Sequence, residues 1–195
     1  MIRFFDIVFS LLGLILLCPL FILAAIWIVI DDPGPIFYRQ QRVGKGGKDF
    51  GLLKFRSMRV GADKKSLITI GERDERITKA GYYLRKFKID ELPQLWNVLI
   101  GEMSMVGPRP EVRKYVDLYT AEQCKVLSVR PGITDYASIE YIDENQLLAQ
   151  AEDPDKIYME EIAPAKIALN MRYINHQTLG EYLKIIILTL AKIIR

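Results

Sequence analysis

With 195 residues, 50% of them hydrophobic and 26% charged, the chain suits one compact domain plus an appendage, and this composition excludes intrinsic disorder. The formal charge is only +3, but between Arg39 and Arg59 the bases Arg39, Arg42, Lys45, Lys48, Lys54, Arg56 and Arg59 face Asp49 alone. Such a cluster suits phosphate-bearing partners: nucleotides, anionic lipid headgroups or nucleic acid.

Cys18 lies inside an apolar run and Cys124 follows a polar stretch, which argues against a structural disulfide and for a reducing compartment. The single histidine, His176, sits in "INHQTLG", a connection between predicted helices. With no other histidine and no cysteine nearby it makes no zinc site.

The first element is apolar. Residues 7–30, "IVFSLLGLILLCPLFILAAIWIVI", carry no charge, and at ~1.5 Å per residue they could cross a ~30 Å hydrocarbon core. The run is too long for a signal-peptide core and lacks a small-x-small cleavage site, so its retention is expected. Pro19 in its middle predicts a kink. Two placements follow: a kinked spanning helix, or a helix-break-helix that dips in and returns to the same face. The flanking charges, Arg3 and Asp6 before and Asp31-Asp32 after, do not separate them.

"DDPGP" ends the apolar helix. Alternating residues on either side of Gly44-Lys45-Gly46-Gly47 predict a β-hairpin, and the missing GxxxxGK[ST] spacing excludes a P-loop. Residues 60–76 are polar and predict a surface loop. "ITKAGYYLRKF" has helical spacing, with Ile77, Gly81, Leu84 and Phe87 on one side. A short helix follows in "DELPQLWNVLIGEMSMVGPRP", then a turn at Gly101 and an arginine bracketed by prolines. Short helices are expected over 111–175. The end, "TLGEYLKIIILTLAKIIR", is amphipathic, with Leu179, Leu183, Ile186, Ile187, Leu190, Ile193 and Ile194 opposite Glu181, Lys184, Lys192 and Arg195. It either packs on the core or lies in the headgroup plane.

Within this frame, "KIDELPQLWNVL" places Asp90 and Glu91 side by side. Pro93 fits only a first helical turn, so the pair sits at or just before a helix N-terminus, where free N–H groups and the dipole favour anions. A solvated acidic cap accounts for this, and so does a reaction centre. Arg85, Lys88 and Arg109 lie close enough in sequence to keep a carboxylate ionised, and an ionised carboxylate is a nucleophile. Adjacent helical residues point about 100° apart, so one acid could attack while the other holds a metal. Phosphoryl transfer needs positioning and charge neutralisation, which arginines and Mg²⁺ supply.

"LLKFRSM", "LRKFKIDELPQLWNVLIGEMSMVGPRP" and "VRPGIT", behind a proline-broken apolar helix, resemble the bacterial sugar transferases over nearly the whole chain. These are small monotopic polyprenyl-phosphate phosphoglycosyl transferases, which begin O-antigen, capsule and glycoprotein glycan assembly. The resemblance implies that Asp90 attacks the β-phosphate of a UDP-sugar, releases UMP and becomes a covalent aspartyl phospho-sugar. A polyprenyl phosphate, usually undecaprenyl phosphate, then collects it. Glu91 is implied as a Mg²⁺ ligand and Arg109 as a phosphate-binding arginine. Arg85 and Lys54 fall at matching basic positions, and Arg130 is expected to contact the uridine or the phosphates.

The family's front helix is re-entrant and broken at a Ser-Pro pair. Cys18-Pro19 stands there in this chain, with a thiol as the weaker donor. Another departure follows "PGIT": Asp135-Tyr136-Ala137-Ser138-Ile139-Glu140 replaces a glycine and a Gln-containing stretch. This difference alters the donor sugar if the segment faces it and is surface drift otherwise.

The resulting expectation is an α+β, mostly helical fold. Residues 1–32 would form a re-entrant membrane helix pair, and 33–195 a cytosolic, membrane-associated catalytic domain with a small hairpin and amphipathic interfacial helices. Expected partners are a UDP-sugar, a polyprenyl phosphate and inner-membrane lipid at the cytoplasmic face. Nucleic acid is not expected, and the exposed front helix permits a homodimer. The rival readings are a membrane-tethered module that binds anionic lipid or nucleic acid, and a glycosyltransferase using Asp153-Pro154-Asp155 as a metal-binding pair, where a helix cap explains the same residues. Serine hydrolase chemistry lacks both GxSxG and a second histidine.

Overall fold

The computed structural model describes residues 1–62, 74–141, 147–148 and 153–194. The front segment folds as two helices, α1 (Ile2–Leu16) and α2 (Cys18–Asp31), bent by 60° at the break. Pro19 is the physical cause. Its nitrogen has no hydrogen to offer the Ile15 carbonyl and its ring crowds the preceding turn, so a new helix starts with the proline in its first turn. No single helix among the described residues is long and apolar enough to cross a membrane, and this bent pair meets that test only jointly.

Both ends of the pair are tied to the rest of the chain. At the start, Arg3 donates to the carbonyls of Val98 and Leu99 at 2.6 and 2.9 Å. Asp6, expected as a flanking charge, is instead buried. Its Oδ1 accepts from Ser104 Oγ at 2.8 Å, the Met105 N–H at 2.9 Å and the Tyr182 hydroxyl at 3.0 Å. At the far end, Asp31 accepts from the Ala80 N–H at 2.8 Å and Asp32 pairs with Arg56 at 2.9 Å.

The hairpin forms as expected. β1 (Phe37–Val43) pairs antiparallel with β2 (Asp49–Phe55), from Phe37 opposite Phe55 to Val43 opposite Asp49. Its tip uses the left-handed region at Gly46 and Gly47 (φ 68° and 74°). Of the expected loop over 60–76, residues 63–73 lie outside the described residues. Its flanks meet, since the Arg59 N–H bonds the Arg76 carbonyl at 2.9 Å.

Helix α3 (Lys79–Lys86) is capped by Thr78, whose hydroxyl accepts from the Gly81 N–H. Of the expected face, Gly81 and Leu84 are buried and Ile77, ahead of the helix, is half-buried, but Phe87 is 62% exposed because the helix ends before it; Ala80 is buried as well. Gly81 is required by close approach: a Cβ there would fall 1.9 Å from the Ser57 carbonyl oxygen.

Helix α4 (Gln94–Ile100) ends at Gly101, in the left-handed conformation at φ 94°, and Arg3 covers two of its last carbonyls. Next, β3 (Ser104–Val106) pairs in parallel with β4 (Gly132–Thr134), across a crossover that contains α5 (Arg113–Val116). This pair was not expected, because three-residue strands are too short to show alternation. A Cβ on Gly132 would lie 2.0 Å from the Gly107 nitrogen, so the two backbones meet where both residues are glycine.

The rest is helical: α6 (Tyr136–Glu140), α7 (Pro154–Ile157), a π-helical turn over Tyr158–Ile162, α8 (Ala163–Asn175) and α9 (Leu179–Ile194), with His176 in the connection between the last two. The fold is therefore α+β and mostly helical. The amphipathic reading of the last helix holds in a modified form. Tyr182 and Ile185 are its most deeply buried side chains, packed with Val106 and Tyr173 against Phe5 and Phe9 of α1. Ile187, Leu188 and Leu190 remain exposed. The side chains of Ile193 and Ile194, and all of Arg195, lie outside the described set.

The Asp6 node yields a prediction. Asp6→Ala strands the Ser104 hydroxyl, the Met105 N–H and the Tyr182 hydroxyl, at a cost of about 2–4 kcal/mol. Thermal unfolding of the detergent-solubilised protein measures it, and an unchanged midpoint would show that the node does not hold α1.

Candidate active site

The chain enters the site through Lys88, whose left-handed backbone (φ 55°, ψ 19°) is uncommon for a residue with a Cβ. It redirects α3 into a single 3₁₀ turn, Ile89–Glu91, that continues through Leu92 and Pro93 into α4. The acid pair therefore lies just ahead of a helix, as Pro93 requires. Ile89 anchors the turn from below by packing on Ala24, Ile28, Phe55 and Leu84.

The two acids have opposite surroundings. Glu91 is clamped: its Oε1 accepts from Lys54 Nζ at 3.0 Å and Arg109 Nη2 at 2.5 Å, and its Oε2 accepts from Arg109 Nη1 at 3.2 Å. Burial alone would push its carboxyl up, but Arg109 and Lys54 together outweigh burial and hold it well below the usual range. Asp90, 6% exposed, goes the other way. Burial raises it, the Glu91 charge adds to that, and Lys54, Arg85 and Lys88 offset only part. This corrects the expectation that nearby cations keep the nucleophile candidate's pKa low. Of the cations that act on Asp90, Lys54 has the largest effect and is itself paired with Glu91.

Each partner is held by its own element. Lys54 is on β2, which Asn97 of α4 fixes by accepting from the Leu53 N–H at 2.9 Å and donating to the Gly51 carbonyl at 2.9 Å. Arg109 sits between Pro108 and Pro110, directly after β3. Its N–H is accepted by Asp135 Oδ2 at 3.0 Å. These elements enclose a cleft of about 530 Å³ whose wall carries Asp90, Glu91, Lys54, Arg85 and Arg109 together. Eight cationic side chains line it against three carboxylates, a charge balance that suits a multiply charged anion.

Arg85 lines the cleft from the last turn of α3, and its charge acts on Asp90. Arg130 is not brought to the cleft: it is exposed and donates to the Gly101 carbonyl at 2.8 Å, behind the end of α4. Cys18 and Pro19 stand at the bend, away from the acids. In the segment that departs from the family pattern, Asp135 is fully buried and caps α6 through the Ser138 N–H, so residues 135–140 do not face the cleft. Residues 142–146, which follow it, lie outside the described residues. Asp153 accepts from the Lys156 N–H at 3.0 Å, as a helix cap does.

Sequence reasoning gave no individual role to three residues. Arg42 lines the cleft, donates to the Pro110 carbonyl at 3.0 Å and lies 3.7 Å from Glu111, but within a run of bases nothing singled it out. Asn97 looked like an ordinary helix residue. Asp135 carried a detectable signal, an aspartate just ahead of a short helix.

Among the described residues no group of three Asp, Glu, His or Cys side chains is placed to hold a metal by itself. The Glu91 carboxylate is nevertheless a donor that suits Mg²⁺, which takes one or two carboxylates and completes its shell with phosphates and water. Glu91 Oε2, with its longer bond to Arg109, keeps lone-pair capacity for such an ion.

The family model for the bacterial sugar transferases matches residues 1–195. The chain is 46% identical over 120 residues to a putative undecaprenyl-phosphate N-acetylgalactosaminyl 1-phosphate transferase of Bacillus subtilis, covering 62% of this chain and 67% of that one. It is 36% identical over 195 residues to a UDP-glucose:undecaprenyl-phosphate glucose-1-phosphate transferase of Caulobacter vibrioides, covering 98% of this chain and 69% of the relative. A protein of the same name from Escherichia coli is 34% identical over 96% of this chain, which spans only 39% of that relative's length. On the match over its whole length and these identities, the chain belongs to the bacterial sugar transferase family.

Proposed function

We propose that the protein transfers a sugar phosphate from a UDP-sugar to a polyprenyl phosphate, with Asp90 as nucleophile. One observation carries this reading: adjacent carboxylates held in opposite electrostatic states within one cationic cleft. A raised carboxyl is a stronger base and nucleophile once ionised, while a clamped one serves as a fixed charge or ligand. The relatives' names, which pair undecaprenyl phosphate with a sugar-phosphate transfer, point the same way.

In the first half-reaction an Asp90 oxygen bonds to the sugar-bearing phosphorus and the bridging P–O bond to UMP breaks. UMP departs with the electron pair, and Arg109, Lys54 and Arg85 neutralise the charge that develops. In the second, an oxygen of the polyprenyl phosphate attacks the same phosphorus, the acyl-phosphate bond breaks, and Asp90 is free again. Glu91 would hold Mg²⁺, which would supply further charge neutralisation.

The same reading places residues 1–32 as a re-entrant membrane segment and 33–195 at the cytoplasmic face of a bacterial inner membrane. The supporting observation is that Arg3 and Asp6 at one end, and Asp31 and Asp32 at the other, all bond one folded body. Leu16, Ile22, Leu23, Ile26 and Trp27 stay exposed between them, an apolar face suited to lipid or to a second copy. The exposed Ile187, Leu188 and Leu190 of α9 suit an interfacial position.

Three measurements test this. Asp90→Asn should lower UMP formation by about 10⁴-fold or more even without lipid acceptor. UDP in place of UMP as the product would support a conventional glycosyltransferase instead. The donor half-reaction should lose rate on acidification at a pH above the ordinary aspartate range of about 4, because the reactive form of Asp90 is the deprotonated one and its pKa is raised. A flat rate down to that range would exclude Asp90 as the titrating nucleophile.

The two acids should also affect stability with opposite sign. The raised pKa of Asp90 disfavours folding as pH rises through it, so Asp90→Asn should raise the unfolding temperature at neutral pH. The depressed pKa of Glu91 contributes stability that is lost as pH falls through it, so Glu91→Gln should cost about 2 kcal/mol at neutral pH and progressively less in acid. Shifts of the same sign in thermal unfolding would refute this assignment of environments.

A further inference from the structure

The Gly107–Glu111 turn carries Arg109 to Glu91, and its backbone is held group by group. The Gly107 N–H bonds the Thr134 carbonyl at 3.0 Å, the Gly132 N–H bonds the Pro108 carbonyl at 3.0 Å, and the Val43 N–H bonds the Glu111 carbonyl at 2.8 Å. Arg42 donates to the Pro110 carbonyl at 3.0 Å. Pro108 and Pro110 have no N–H, so Arg109 owns the sole backbone donor of that tripeptide. Asp135 takes it at 3.0 Å.

Asp135 is 0% exposed and reaches no cleft wall. Its carboxylate is divided between two tasks: Oδ2 accepts from Arg109, while Oδ1 accepts from the Ser138 N–H and caps α6. A cap needs only one oxygen, and serine or asparagine would serve as well. The second oxygen is used on the catalytic arginine's main chain. With its backbone fixed there, the Arg109 guanidinium is aimed at both oxygens of Glu91.

We propose that Asp135 is a positioning residue for the donor's diphosphate: it never touches substrate, and it acts by orienting Arg109 through that arginine's backbone N–H. The proposal rests on the reading of Arg109 as a phosphate-binding residue. It gives the aspartate at this position a role distinct from both sugar recognition and surface drift.

Asp135→Asn separates the two tasks. The amide keeps one accepting oxygen for the α6 cap but presents N–H groups where the second oxygen stood. The Kd for UDP, measured by calorimetry on the full chain in detergent, should rise about tenfold in Asp135→Asn and in Asp135→Ala. In an Arg109→Ala background the same changes should move it less than twofold, because the residue acted through is gone. Equal effects in both backgrounds, or none in either, would overturn the proposal.

A nucleotide-free readout keeps the test independent of the proposed reaction. The Arg109 Nε–H resonance, identified by its loss in Arg109→Lys, should be dispersed in the parent protein and collapse toward the solvent-exchanging arginine signals in Asp135→Asn. An unchanged resonance would reduce Asp135 to a helix cap and refute the inference. If the parent protein binds no UDP at all, the proposed reaction fails while the resonance still decides the role of Asp135.

Discussion

The ion cluster of Glu91 with Lys54 and Arg109 is the contact on which the site's geometry depends. Its three members arrive from separate parts of the chain: the second strand of the hairpin, the 3₁₀ turn ahead of α4, and the proline-bracketed turn after β3. A cluster this enclosed is costly to desolvate and holds only if each charge is satisfied. Bidentate geometry on one side and an ammonium on the other meet that condition. Its neighbour Asp90 is buried beside that fixed negative charge, and Lys54, Arg85 and Lys88 offset only part of the two effects. The reactivity assigned to Asp90 thus follows from its burial and from the charge of Glu91.

The front helix pair obeys a related constraint. A polar or charged group inside an apolar element must find partners, and Asp6 finds three in β3 and α9. Arg3 serves the last carbonyls of α4, and Asp31 covers an N–H in the first turn of α3. The bent pair is thereby built into the same framework that carries the acids. The cluster of Ala24, Ile28, Phe55 and Leu84 makes the connection direct, since Ile89, the neighbour of Asp90, packs on it.

Much of this was legible in the sequence where a local rule has one outcome. Proline at 19 breaks a helix, paired glycines at 46 and 47 close a hairpin, and Pro93 places the acids ahead of a helix. The parts that were not legible are those set by distant partners. The parallel pairing of β3 with β4 leaves no periodic trace in three residues, and the burial of Asp6 depends on groups about a hundred residues and more away. The low pKa expected for the nucleophile failed for the same reason: sequence places cations nearby, whereas only the folded chain shows that Asp90 is buried against the charge of Glu91. Arg130 was read from its motif alone, and the fold turns it behind α4.

The reach of the Asp6 contacts also bears on how the protein is made. Its partners Ser104 and Tyr182 lie 98 and 176 positions further along the chain. A ribosome producing this protein releases the apolar front long before the groups that hydrogen-bond its buried carboxyl exist. Until the final helix emerges, the nascent front segment carries an unmatched carboxyl just ahead of its most apolar stretch, so its native docking is a late, post-synthetic event governed by contacts of high sequence separation.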